Sequence, residues 1–165
     1  MMSSRLLGLV VSVALSVPAV IAAQSKTSAD VPPSAAPVPG RAKNLDATGL
    51  ALKGYDPVAY FTVGAPTKGL ATFAARHDGA TYHFASAANR EAFVAQPERY
   101  LPQYGGFCAM GVAGNAKFDI DPEAWRVEDG KLYLNKNKPT QAYWRLRMSD
   151  NIAKADRYWP TLGAQ

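Results

Sequence analysis

Two Asp-Gly dipeptides, Asp78-Gly79 and Asp129-Gly130, constrain the fold of this chain more than any other feature. An Asp-Gly pair between two apolar segments is a strong local signal for a β-hairpin, because both residues accept the backbone conformation of a tight turn. The flanking segments have the length and pattern of short strands, and they are 71–76, 81–84, 124–127 and 131–134. The sequence therefore predicts two hairpins.

Helical segments follow each predicted hairpin. Ser86 is placed to cap a helix over 87–96, which Pro97 ends before a further helical turn at 97–100. Near the end of the chain, Thr140 is the predicted cap of a helix over 141–156, closed by Trp159-Pro160. The apolar set expected for this helix is Tyr143, Trp144, Leu146, Ile152 and Ala155.

These elements predict a small single α+β domain with two β-hairpins, a central short helix and a C-terminal helix. Residues 24–43 are rich in Pro, Ser and Ala and have no apolar period, so we expect them to form a disordered tether. The domain is predicted to span 44–165. A length of 165 residues is sufficient for one domain with a core.

The first 23 residues have the order of a secretory signal. Arg5 is followed by an apolar run over 6–23 that ends in Ala22-Ala23, and polar residues come next. We expect cleavage after Ala23, with Ala22 as the second choice. An uncleaved anchor is the alternative because the run is near the ~20 residues that span a bilayer, but Pro18 and the small residues favour cleavage. The predicted product is periplasmic or secreted, with no stable membrane span after processing.

The charge pattern argues against nucleic-acid binding. The chain has 18 Lys and Arg against 13 Asp and Glu, a net charge of +5, but these residues are scattered and form no run. It contains no basic helix, zinc-finger spacing or ribonucleoprotein-type aromatic motif. A solvated basic surface is the simplest interpretation, and an acidic partner or an anionic membrane surface would also suit it.

The single cysteine, Cys108, lies in the segment YGGFCAMG at 104–111. Export favours disulfides, but one cysteine cannot form an internal one. Three roles therefore stay open, a buried structural thiol, a metal ligand and a reactive thiol. Cys108 and Met110 are soft ligands that suit Cu(I), and His83 or His77 could supply a third ligand.

Strand alternation separates the candidate histidines from the expected core. Tyr82 and Phe84 should face one side of their strand, so His83 should point to the other, and His77 is expected at the surface beside a turn. A Cys-His hydrolase would need Cys108, His83 and an aspartate such as Asp56 or Asp119 in contact. No local motif indicates such an enzyme, and we expect no catalytic residue.

Two remaining motifs have simpler interpretations than a ligand site. The glycines of YGGFCAMG lack the Gly-Lys-Ser/Thr of a phosphate loop, so we expect them to provide backbone freedom or close backbone approach. Asp119, Asp121 and Glu123 lack the full calcium-loop spacing, and a turn is the predicted structure there.

Three segments, GYDPVAYF, YHFASAANREAFVAQPERYLPQYGG and CAMG, together resemble the YHS domain family over about residues 54–111. The later segments DGKLYLNKN and NIAKADRYWP are similar to its exported stand-alone bacterial form. The resemblance implies the fold, and for many members it implies a small metal-binding module. It places one metal-binding cysteine after Asp-Pro-Val, another after Tyr-x-Phe and often a third a few residues later.

This chain departs from that metal pattern, because the first two positions hold Ala59 and Ala85, and there is no thiol at the third place, near Asn89. The expectation is therefore an exported YHS-type protein that binds a soft transition metal, copper first, through Cys108, Met110 and His83. One alternative is a structural or interaction module whose metal site has decayed. A thiol-dependent enzyme is the other.

Overall fold

The computed structural model describes residues 41–165, so the predicted signal at 1–23 and most of the tether at 24–43 lie outside the described residues. Ala42 and Lys43 already contact the domain. The Ala42 N–H donates to the Gly163 carbonyl over 2.7 Å, and Lys43 forms an ion pair with Asp78. No helix within 41–165 is long and apolar enough to cross a bilayer.

The described residues form a small α+β domain. Its strands are β1 (Leu70–His77), β2 (Ala80–Phe84), β3 (Asp121–Glu128) and β4 (Lys131–Asn135). Its helices are α1 (Ala59–Thr62), α2 (Ala87–Ala95), α3 (Pro97–Tyr100), α4 (Ala109–Ala113), α5 (Lys138–Leu146) and α6 (Met148–Leu162). Short 3₁₀ turns cover Leu52–Gly54 and Gln103–Gly106.

Both predicted hairpins are confirmed. Strand β1 pairs with β2 and β3 pairs with β4, each as an antiparallel two-stranded sheet. The turn residues have positive φ, 46° at Asp78 and 80° at Gly79, then 48° at Asp129 and 69° at Gly130. Asp and Gly are suited to this conformation, which explains why the dipeptides located the turns correctly.

The C-terminal helix differs from its prediction in two ways. Asn137, not Thr140, is the cap, because the Asn137 side chain accepts a hydrogen bond from the Thr140 N–H over 2.8 Å. Pro139 then fits the first turn, where its missing N–H has no helical partner. The predicted single helix is two helices, because Arg147 leaves the helical conformation with φ −135° and ψ 51°.

Two of the side chains expected in the core are exposed. Trp144 and Ala155 are fully buried as expected, but Tyr143 is 65% exposed and Leu146 is 79% exposed. Trp144 is the buried residue of α5, and Tyr143 and Leu146 lie about 100° and about 200° away from it around the same helix. The prediction that this helix ends at Asp156 and is closed by Trp159-Pro160 was wrong, since α6 continues through Pro160 to Leu162.

Strand β4 separates two apolar clusters and is buried on both faces. Leu132 and Leu134 pack in the first cluster, with Phe84 and Phe93, while Tyr133 packs in the second, with the Trp144 side chain. Asn135 alternates onto the same face as Tyr133 and is completely buried. Strand β4 therefore brings a polar side chain into the interior, beside α4.

Candidate functional site

The segment before Cys108 makes a turn that depends on glycine. Tyr104, Gly105 and Gly106 all have positive φ, at 56°, 60° and 80°. A Cβ atom on Gly105 would lie 2.2 Å from the Ala42 carbonyl oxygen, so a larger residue could not be accommodated there. The glycines provide close backbone approach, as predicted, and they deliver Cys108 to the position that precedes α4.

The Cys108 thiol is buried, with 1% of the residue exposed. Its Sγ accepts hydrogen bonds from the Lys136 N–H at 3.2 Å and the Gly111 N–H at 3.4 Å. The thiol also donates to Asn135 Oδ1 at 3.8 Å. Cys108 therefore connects the first turn of α4 to the end of β4.

Asn135 is the residue of this site that sequence reasoning missed. Its Oδ1 also accepts a hydrogen bond from the Met110 N–H at 3.3 Å, so Asn135 joins the end of β4 to α4. Its Nδ2 is buried without a hydrogen-bond partner among the described residues. The only signal in the sequence is a polar residue at the end of the apolar strand KLYLN, which is an ordinary place for a strand to meet solvent.

The three predicted metal ligands have different surroundings. Met110 is half-buried and packs against both apolar clusters. His83 is half-buried on the strand face opposite Tyr82, as alternation predicted. Its ring lies near Gly54, where a Cβ would be 3.6 Å from His83 Nδ1.

The contacts found for His83 and for the Cys108 sulfur within residues 41–165 involve different residues. The His83 backbone packs on Gly69, whereas the thiol contacts residues of α4 and the end of β4. Among the residues that the structure describes, no group of three or more His, Cys, Asp and Glu side chains could hold a metal ion.

The other candidates are engaged in structural contacts. His77 is less exposed than expected, because its ring packs edge-on against Phe93 and its Nε2 lies 3.3 Å from Glu98 Oε1. Asp119 pairs with Lys53 at 2.7 Å and accepts from Asn44 at 3.0 Å. No histidine is among the hydrogen-bond partners found for Cys108 in residues 41–165.

Asp56 forms a polar centre in which both carboxylate oxygens accept two hydrogen bonds. The residue is fully buried. Its Oδ1 accepts from the Val58 N–H at 2.8 Å and the Ala59 N–H at 3.3 Å. Its Oδ2 accepts from the Ala85 N–H at 2.8 Å and from Asn89 Nδ2 at 2.6 Å. One carboxylate thus joins the start of α1 to the end of β2 and to α2.

This arrangement brings together the three positions at which the YHS resemblance implies metal-binding cysteines. Ala59 is distant in sequence from Ala85 and Asn89, yet each of the three donates a hydrogen bond to Asp56. None of the three provides a thiolate. Ala59 and Ala85 donate through their backbone N–H groups, and Asn89 donates through its side-chain amide. Comparison of the chain with protein-family models, with characterised proteins and with solved structures finds no match.

Proposed function

We propose that the chain is an exported, non-enzymatic interaction module of the YHS type, in which the metal site of that family has been replaced by a hydrogen-bond network. The observation that carries this proposal is the convergence of Ala59, Ala85 and Asn89 on the Asp56 carboxylate. A soft metal ion needs thiolate, thioether or imidazole ligands, and these three positions offer none.

The Asp56 network also gives the three positions a different role. A buried carboxylate must be hydrogen-bonded, and four N–H donors supply this here. The donors come from three segments, so the network fixes how α1, β2 and α2 meet. Its role in this account is to hold the module together.

Cys108 has an equivalent structural role in the second half of the domain. Its sulfur accepts hydrogen bonds from two backbone N–H groups, those of Gly111 and Lys136. A nucleophilic thiol needs access and a nearby base, and this one is buried with no histidine among its described hydrogen-bond partners. These contacts favour a structural thiol over a catalytic one.

Cu(I) binding is the second candidate function. Cys108 and Met110 lie two residues apart at the start of α4, and both are soft ligands. His83 is not among the hydrogen-bond partners found for the Cys108 sulfur in residues 41–165, so coordination by all three ligands would require the imidazole and the thiol to be brought together. That rearrangement is the reason this function ranks second.

A Cu(I) competition titration against a chromogenic chelator separates the two candidates. The protein would start at Gln24, and the variants would be Cys108→Ala, His83→Ala and Met110→Leu. We expect no copper uptake above the chelator background for any of them. Stoichiometric binding by the natural chain that is lost in Cys108→Ala and His83→Ala would overturn the first proposal and establish the second.

A further inference from the structure

An open groove lies between β3, α1 and α5, with a volume of about 500 Å³. That volume is within the range of small-molecule sites in proteins. The groove contains none of Cys108, Asn135 and Asp56, so it is separate from the centres described above. Its lining combines aromatic side chains with several cations.

The floor of the groove is aromatic. Trp125 of β3 is half-buried and packs edge-to-face on the buried Tyr60 ring, with centroids 5.2 Å apart. Phe61 lines the same groove and packs edge-to-face on Tyr100 at 5.5 Å. Since Trp125 and Phe61 are each held by another ring, the groove presents positioned aromatic rings that suit a planar apolar group.

The rim of the groove is positively charged. Arg126, Lys138 and Arg145 line it together with one carboxylate, that of Glu123. Arg126 is already paired with Glu128 at 2.8 Å. Lys138 and Arg145 are exposed, and neither is within ion-pair distance of a carboxylate in the described part of the chain.

The positions of the two free cations follow from helix geometry. Lys138 and Arg145 are seven residues apart on α5, so they lie on one face about two turns from each other. Gln141 lies between them and donates from its side-chain amide to the Trp125 carbonyl. That hydrogen bond joins α5 to β3 and holds the row of cations beside the aromatic floor.

From this charge complementarity we propose that the groove binds a small aromatic carboxylate, with its ring on Trp125 and its carboxylate between Lys138 and Arg145. This inference rests on the proposal that the chain is an interaction module, and it names a ligand class for that module. An aromatic ring supplies the flat apolar surface. One negative charge matches the excess that remains on the rim, because Arg126 is paired with Glu128, and Lys138 and Arg145 then exceed the single carboxylate of Glu123 by one.

The test is a titration with 2-naphthylacetate, followed by the indole N–H resonance of Trp125 in two-dimensional NMR of the exported chain. The neutral probe is 2-naphthylacetamide, and acetate is the probe without a ring. The variants are Lys138→Gln and Arg145→Gln, with Lys154→Gln as the matched control, because Lys154 is exposed on α6 and does not line the groove.

We expect saturable binding of the naphthyl acid, with weaker binding of the amide and of acetate. Each groove variant should weaken binding roughly two- to five-fold, as expected for one partly screened ion pair, and Lys154→Gln should not. Added salt should weaken binding of the acid more than that of the amide.

With these probes and variants, three results would overturn the inference. They are absence of binding at up to about 5 mM ligand, equal binding of acid and amide, and equal effects of Lys138→Gln and Lys154→Gln. Tighter binding of an acidic peptide than of the naphthyl acid, lost in the same groove variants, would reassign the groove to an acidic polypeptide and so overturn the ligand class. Copper uptake at Cys108 would overturn the proposed function, whereas the groove inference is decided by the naphthylacetate titration.

Discussion

Asn89 Nδ2 donates to Asp56 Oδ2 over 2.6 Å, the shortest of the four hydrogen bonds that this buried carboxylate accepts. The two residues are 33 positions apart, and their contact joins the segment before α1 to the first turn of α2. Asp56 therefore determines how the first half of the domain is assembled.

The first prediction concerns Asp56→Asn. An amide has one acceptor oxygen, so donors that now contact Oδ1 or Oδ2 would face an NH₂ group in the interior. We expect the free energy of unfolding to fall by roughly 2–4 kcal/mol, the cost of leaving buried donors unsatisfied. Urea unfolding followed by circular dichroism measures it, with the exposed Asp150→Asn as control. A loss below about 0.5 kcal/mol, typical of surface substitutions, would contradict the account.

The second prediction compares two replacements of Cys108. Serine keeps an acceptor for the Gly111 and Lys136 N–H groups, whereas alanine removes it. We expect Cys108→Ala to lower the free energy of unfolding by about 1–3 kcal/mol and Cys108→Ser to lower it less. If sulfur acts only as a small apolar group, alanine should be the better tolerated of the two. The same urea experiment distinguishes these outcomes.

The third prediction tests the start of α5. Asn137→Ala removes the side-chain oxygen that accepts from the Thr140 N–H and should cost about 1 kcal/mol of stability. Thr140→Ala provides the matched control, because Thr140 contributes its backbone N–H to this cap. A larger effect of Thr140→Ala would restore the cap that the sequence alone indicated.

The fourth prediction concerns alkaline pH. Burial is the main cause that raises the pKa of Tyr133 to about 12, and burial also raises the pKa values of Tyr60, Tyr82 and Tyr104. A raised pKa means that the folded state holds the proton more tightly. The resulting stabilisation is fully present below about pH 10, the ordinary tyrosine pKa, and is lost as the pH rises through the folded-state values.

Absorbance at 295 nm measures tyrosine ionisation directly, and urea midpoints at matched pH measure stability. We expect these four of the eight tyrosines to ionise only above the ordinary range, together with unfolding. Tyr133→Phe should reduce the loss of stability between pH 10 and 12. Ionisation of all eight tyrosines near pH 10 in the folded protein would contradict the prediction.

Local signals in the sequence were sufficient for the hairpins and for the start of α2. Asp78-Gly79 and Asp129-Gly130 determine their turns by backbone preference alone, and Ser86 caps its helix with an Oγ that accepts from the Asn89 N–H at 3.1 Å. Such features depend on residues only a few positions apart, which explains why the sequence locates them.

Features that depend on tertiary contacts could not be predicted in this way. Both Asn137 and Thr140 are residue types that cap helices, and the prediction of Thr140 was wrong because the fold starts the helix after Asn137. The helix breaks at Arg147, where the sequence has no Gly or Pro that would indicate the end of a helix. The hydrogen bonds of Asp56 and Asn135 join segments distant in the chain, so only the folded structure reveals the two polar centres.

The most direct measurement of the central claim is Cu(I) binding by the triple variant Ala59→Cys, Ala85→Cys, Asn89→Cys beside the natural chain. If these positions are a replaced metal site, the variant should bind one Cu(I) ion per chain against the competing chelator, while the natural chain binds none. Circular dichroism would first establish that the variant folds. Failure of the folded variant to bind, or binding by the natural chain, would contradict the account.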